Sequence, residues 1–188
     1  MLSIAMVPTI LLIPLSFISI TTGFLQGQIS TIPKQRPTNI IVYETMFKST
    51  FSLTSASAQA AMDAACQEAS AKGWKVTIAI ADAVGVPLLV KRCDDAFPAS
   101  YEIAVGKAKT AALFHKPTGA LEDATNVSDG SSRTALLSAP FVLMRGGLPI
   151  FANEMCVGAV GVSGVKPNED EQVATAAVNA LNAIISKL

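Results

Sequence analysis

The sequence has little charge, few aromatic residues and almost no histidine. Of its 188 residues, 15% are charged, 6% are aromatic and a single one, His115, is histidine. Lysine and arginine together number 14, as do aspartate and glutamate, so the formal net charge is zero. A nucleic-acid-binding protein needs a basic field to hold phosphates, and we therefore expect no nucleic-acid partner.

Cysteine is also scarce, with Cys66, Cys93 and Cys156 far apart in the chain. This odd, unpaired set excludes a disulfide framework and a zinc knuckle. Hydrophobic residues, in contrast, make up 51% of the chain, which is enough for an ordinary globular core. Because a neutral, apolar chain favours surfaces that are buried between subunits, we expect a homo-oligomer.

The N-terminal stretch lacks charge altogether, since residues 1–33 contain no Asp, Glu, Lys, Arg or His. The apolar run Ile4–Ile20 suits the hydrophobic region of a signal peptide or a membrane anchor. However, no positive charge precedes this run, and Pro8 and Pro14 interrupt it. The run by itself therefore leaves both interpretations open.

A third interpretation is that translation begins at Met46 and that the upstream residues are an extension of the gene model. We accordingly predict an apolar extension and linker over residues 1–45 and a globular domain over residues 46–188. If residues 1–25 are a genuine signal, we expect a secreted or membrane-anchored protein, with a membrane partner only for a retained anchor. If Met46 is the start, we expect a cytoplasmic protein.

The first half of the globular part predicts a helix followed by a β-hairpin. Thr54 or Ser55 caps the helix, and Gly73 ends it. The run Val76–Asp82 is rich in β-branched residues and predicts a buried strand. After a tight turn, Val86–Arg92 predicts the second strand of the hairpin.

The second half predicts two helices and three strands around a polar loop. Asn168, with Glu171 three residues later, is typical of the start of a final helix, and residues 118–135 predict a loop with one short helix. The other predicted elements are a helix at Ser100–Phe114 and strands at Phe141–Arg145, Leu148–Ala152 and Cys156–Ser163. Strands joined by tight turns favour an antiparallel sheet, so we predict an α+β fold with about five strands and packed helices.

The glycines near the last strand have neither dinucleotide-binding nor P-loop spacing. We predict that Gly158, Gly161 and Gly164 let a strand approach a helix or another subunit closely. Gly146 and Gly147 form a hairpin turn, and they also suit the approach of backbone N–H groups to a ligand.

Four segments in order are similar to the GlcG/HbpS-like family, also described as haem-degrading or PduO C-terminal-like domains. They are Ala79–Pro87, Lys91–Ala96, Ala104–Ala111, and Gly146–Ile150 followed by Val157–Gly164. The resemblance covers about residues 53–188. It implies a profilin-like fold, frequent oligomerisation, and haem or a corrinoid-like tetrapyrrole as the cofactor or small-molecule ligand.

The resemblance also implies a basic cluster near a pocket, formed by Arg92 and Lys107. A guanidinium fork and an ammonium group both suit the carboxylates of haem or of an acidic metabolite. The structural alternative is an ion pair of either cation with Asp82 or Asp94. Thr110, on the same predicted helix as Lys107, is a further candidate for cofactor binding.

His115 is the candidate metal ligand, because imidazole is a good axial ligand for haem iron. The alternative is a surface or capping histidine at the end of a helix. By chemical type alone, Tyr101, Met144, Met155 and the cysteines are further candidates.

Three functions are consistent with these residues. The first is a binding module for haem or a related tetrapyrrole. The second is an enzyme acting on a small acidic metabolite, with Lys107 as acid/base and Asp82 as its partner, since burial can shift a lysine towards neutral pH. The third is an oligomeric structural or interaction module.

Overall fold

The computed structural model describes residues 50–187. In chain order we number the elements α1 (Ser55–Lys72), β1 (Thr77–Asp82), β2 (Pro87–Arg92), α2 (Ser100–Phe114), α3 (Thr118–Thr125), a 3-10 helix (Thr134–Ser138), β3 (Gly147–Ala152), β4 (Met155–Ser163) and α4 (Pro167–Ile185). The predicted extension over residues 1–45 lies outside the described part. None of the described helices is both long and apolar enough to cross a membrane.

The strands form one antiparallel sheet in the order β2-β1-β4-β3. Thr77 of β1 lies opposite Arg92 on one side and Ser163 on the other, so the predicted hairpin is confirmed and β4 packs beside it. The α+β class is confirmed. The profilin-like comparison stays a prediction.

The prediction of about five strands is wrong for the described residues, which form four. The segment Phe141–Arg145 is irregular, and Gly147 begins β3 instead of turning a hairpin. Two of the segment's N–H groups donate to side chains from elsewhere: Val142 N to Thr110 Oγ1 at 2.9 Å and Arg145 N to Glu122 Oε2 at 2.9 Å. These bonds take the place of a strand ladder.

Alternation along β1 assigns the two faces of the sheet to different helices. Ile78 and Ile80 belong to the large core cluster, which includes buried residues of α1 and α4. Ala79 and Ala81 point the other way and pack against Ala104 and Ala108 of α2. Small side chains on both partners let α2 lie close to the sheet.

Gly161 of β4, which lies opposite Ala79, likewise lets the sheet lie close to α2. A Cβ atom at Gly161 would collide with the α2 backbone, at the carbonyl oxygen of Ala104 and the amide nitrogen of Ala108. The close approach predicted for this glycine is therefore to a helix of the same chain.

The helix ends follow local signals. Thr54 Oγ1 accepts from Ser57 N at 3.2 Å, and Gly73 ends α1 in the left-handed conformation, as predicted. The predicted N-cap of α4, Asn168, is two residues too late. The N-cap is Lys166, whose N–H donates to Glu169 Oε2 at 3.1 Å.

Candidate functional site

Lys107 lies inside the protein, with 0% of its side chain exposed. Its Nζ donates to Asp170 Oδ2 at 2.7 Å and to the carbonyl oxygen of Val162 at 2.8 Å. Helix α2 supplies the lysine, β4 the carbonyl and the first turn of α4 the aspartate. The acidic partner is thus Asp170, and not Asp82 or Asp94 as the sequence led us to expect.

Gly146 leaves room for this ion pair. A Cβ atom there would lie 3.0 Å from Lys107 Nζ and 2.7 Å from Asp170 Cβ, and the backbone has a φ of +113°, which favours glycine. Burial raises the pKa of the Asp170 carboxyl, against the opposing effects of Lys107 and of the hydrogen bond donated by Val165 N. Both bonds of Lys107 stay inside the protein, and its side chain does not line the cavities that contain Arg92 or His115.

Asp82 and Arg92 take no part in the Lys107–Asp170 ion pair. Asp82 Oδ1 accepts from the N–H groups of Val84 and Val86 at 3.0 and 2.8 Å, so it holds the β1–β2 turn. Arg92 is exposed at the end of β2 and lines a cavity of about 560 Å³ beside α1, to which Lys107 does not contribute. The structure therefore does not bring Arg92, Lys107 and Asp82 together.

Thr110 and Gly147 are tied into the scaffold. Thr110 Oγ1 donates to the carbonyl oxygen of Gly106 at 2.7 Å and accepts from Val142 N at 2.9 Å. Gly147 N donates to Thr118 Oγ1 at 2.8 Å. These bonds fix α2 and α3 against the segment that leads into β3.

His115 ends α2 in the left-handed conformation, with a φ of 52°, and its side chain is exposed. It lines a cavity of about 330 Å³ together with Met155 and Cys156 at the start of β4. Phe51 and Ala83 form apolar parts of the wall, and Thr50 and Glu154 complete the lining. The cavity thus brings together an imidazole, a thioether and a thiol, which are three ligand types for haem iron.

The thiol of Cys156 is the weakest of these three as a ligand. Burial raises its pKa, and the thiolate is the form that binds metal. Its Sγ donates to the carbonyl oxygen of Gly158 at 3.3 Å. An imidazole and a thioether bind iron without the loss of a thiol proton, so His115 and Met155 are the better pair of ligands.

The donor set fits haem better than a bare ion. Within residues 50–187, no three His, Cys, Asp or Glu side chains cluster as a metal site requires. Haem brings four ring nitrogens of its own and needs only one or two axial ligands from the protein. An apolar wall with one imidazole and one thioether meets that requirement.

The sequence indicates His115 as a candidate metal ligand, but it does not show that Met155 and Cys156 share its cavity. These residues are about 40 positions from His115 in the chain, and no local spacing connects them. Only the packing of the end of α2 against the β3–β4 turn brings the three groups together.

The fold and its cavities define a small α+β domain in which an antiparallel sheet is covered by helices and a ligand-sized cavity opens beside α2. The chain belongs to the family described as haem degrading protein HbpS-like, whose model matches residues 53–179. This confirms the resemblance deduced from the four sequence segments.

Known proteins support the same assignment. Protein GlcG of Escherichia coli is 38% identical over 107 residues, which cover 56% of this chain and 77% of GlcG. The crystal structure of a double mutant of Streptomyces reticuli HbpS aligns with a TM-score of 0.66 and 31% identity, over 72% of this chain and 91% of that one. The crystal structure of a PduOC–haem complex aligns with a TM-score of 0.63 and 27% identity, over 70% and 96%.

Proposed function

We propose that this protein binds haem in the His115 cavity, with His115 as an axial ligand. The observation that carries the proposal is the meeting of His115, Met155 and Cys156 around one cavity. Membership in a family described as haem-degrading supports the ligand class, and so does the similarity to a structure of a haem complex.

In this proposal the protein positions the haem and shields it from solvent. His115 is the left-handed C-cap of α2, and its exposed side chain lines the cavity. Phe51 supplies apolar surface for a porphyrin face, and Met155 supplies a thioether. Bound haem contributes its iron and ring chemistry.

The enzyme hypothesis, with Lys107 as acid/base and Asp82 as partner, gains no support from the observed ion pair and stays a prediction. The homo-oligomer and the recognition of a carboxylate by Arg92 also stay predictions.

The test is a titration of the full chain with hemin, followed by the Soret band. We expect saturable binding that His115→Ala weakens at least about tenfold, which corresponds to about 1.4 kcal/mol, with a shift of the Soret maximum as the axial ligand is lost. Met155→Ala should also change the spectrum. The matched control is Met144→Ala, because Met144 is exposed and does not line the cavity.

A His115→Ala protein with wild-type affinity and spectrum would rule out the proposed site. Parallel titration with hydroxocobalamin tests the corrinoid that the family resemblance implied. Saturable corrinoid binding without hemin binding would contradict haem as the ligand.

A further inference from the structure

A separate apolar groove lies where the end of α2, α3 and the 3-10 helix meet. Its volume is about 450 Å³, and it shares no lining residue with the His115 cavity. Lys116 and Arg133 are its two charged residues. The rest of the lining is apolar: Phe114, Leu121, Ala124, Ala135 and Leu136.

The two cations of the groove are not paired within the described part of the chain. Among residues 50–187, neither Lys116 nor Arg133 has a salt-bridge partner. The acidic residues of α3, Glu122 and Asp123, are instead paired with Arg145. The groove therefore presents positive charge that no described neighbour neutralises.

Contacts within the protein support the walls of the groove. The rings of Phe114 and Phe141 pack edge to face, with centroids 4.9 Å apart. Arg133 N donates to the carbonyl oxygen of Ala124 at 3.1 Å, and Ser132 Oγ donates to that of Thr125 at 2.7 Å. These bonds hold the loop that carries Arg133 against the end of α3.

We infer that this groove binds an apolar monocarboxylate of the fatty-acid type. Ligand sites are commonly concave and mostly apolar, with a few polar groups that fix orientation. The hydrocarbon part of such an anion covers the apolar wall, and its carboxylate accepts charge-assisted hydrogen bonds from Lys116 and Arg133. This inference does not depend on haem binding, because the two cavities have separate linings.

The test uses decanoate below its micelle concentration and the full chain, with binding measured by isothermal titration calorimetry. We expect saturable binding, weakened at least about tenfold in a Lys116→Ala/Arg133→Ala double variant, because that variant loses both charge-assisted hydrogen bonds to the carboxylate. The matched control is Lys72→Ala, an exposed lysine at the end of α1. Decanol, which has the same chain without the charge, should bind more weakly than decanoate.

Three results would overturn the inference: no saturable binding of decanoate, equal binding by the double variant, or equal binding of decanol. If hemin does not bind, the decanoate measurements still test this inference.

Discussion

Lys107 and Asp170 face each other inside the protein, where neither charge is solvated by water. Removing one partner of a buried ion pair leaves the other charge uncompensated, at a cost of about 3–5 kcal/mol. We expect Lys107→Met to lower the free energy of unfolding by about that amount. Urea unfolding at neutral pH, followed by circular dichroism, measures the loss.

The double variant Lys107→Met/Asp170→Leu is the control, because replacing both charges by apolar groups is often close to neutral. We expect it to recover much of the lost stability. An unfolding midpoint of Lys107→Met that equals the wild-type midpoint would contradict the pairing. Recovery in the double variant also separates the effect of the charge from a general failure to fold.

The Lys107→Met variant should also show a pH signature. Burial raises the pKa of Asp170, and without Lys107 the main opposing interaction is gone. A carboxyl whose folded-state pKa is raised binds a proton more readily in the folded than in the unfolded protein. The penalty of the variant relative to wild type should therefore be largest above the folded-state pKa and shrink as the pH falls through it.

At the scale of elements, the contact between β4 and α2 depends on Gly161. We expect Gly161→Ala to destabilise the protein by about 1–3 kcal/mol, the usual cost of overpacking, because the added methyl group meets helix backbone and not the end of a flexible side chain. Thermal unfolding provides the measurement.

Gly106→Ala is the matched comparison for this prediction. Its added methyl group would meet the side chain of Val142 and no backbone of a neighbouring element, and alanine is favoured over glycine inside a helix by about 1 kcal/mol. We expect the Gly106 variant to be the more stable of the two. The reverse order would show that α2 can move away from β4.

The elements that the sequence predicted correctly are those specified by neighbouring residues. The β1–β2 hairpin follows from a β-branched run and a turn held by Asp82, and α1 follows from Thr54 and Gly73. Phe141–Arg145 was predicted wrongly because its hydrogen-bond partners come from α2 and α3, more than 20 positions away. A strand-like composition does not reveal such partners.

The candidate site was less predictable for the same reason. His115 stands out by chemical type, but its cavity partners lie about 40 positions further on, and Asp170 is 63 positions from Lys107. Contacts of that range are made by the packing of whole elements. The sequence therefore names chemically capable residues without showing which of them meet.

At the scale of the whole molecule, the large core cluster and the residues packed against it lie between Leu53 and Ile185. Deleting residues 1–45 removes none of them. We predict that a chain beginning at Met46 folds with a free energy of unfolding within about 0.5 kcal/mol of the full chain, as for changes away from the core.

Urea unfolding of the full and shortened chains, with equal slopes, checks this domain boundary. A loss of more than about 1 kcal/mol in the shortened chain would mean that residues before Met46 take part in the folded core. A shift of that size is well outside the range expected for surface changes.

The two outer strands affect how copies of this protein can meet. Within the described residues, β2 and β3 each have a strand neighbour on one side only. β2 begins at Pro87, and β3 carries Pro149 and an irregular register after Ile150. Proline has no N–H to donate, and prolines and bulges protect sheet edges from strand addition. At these two edges a continuous intermolecular sheet, the first step towards fibrils, is therefore disfavoured.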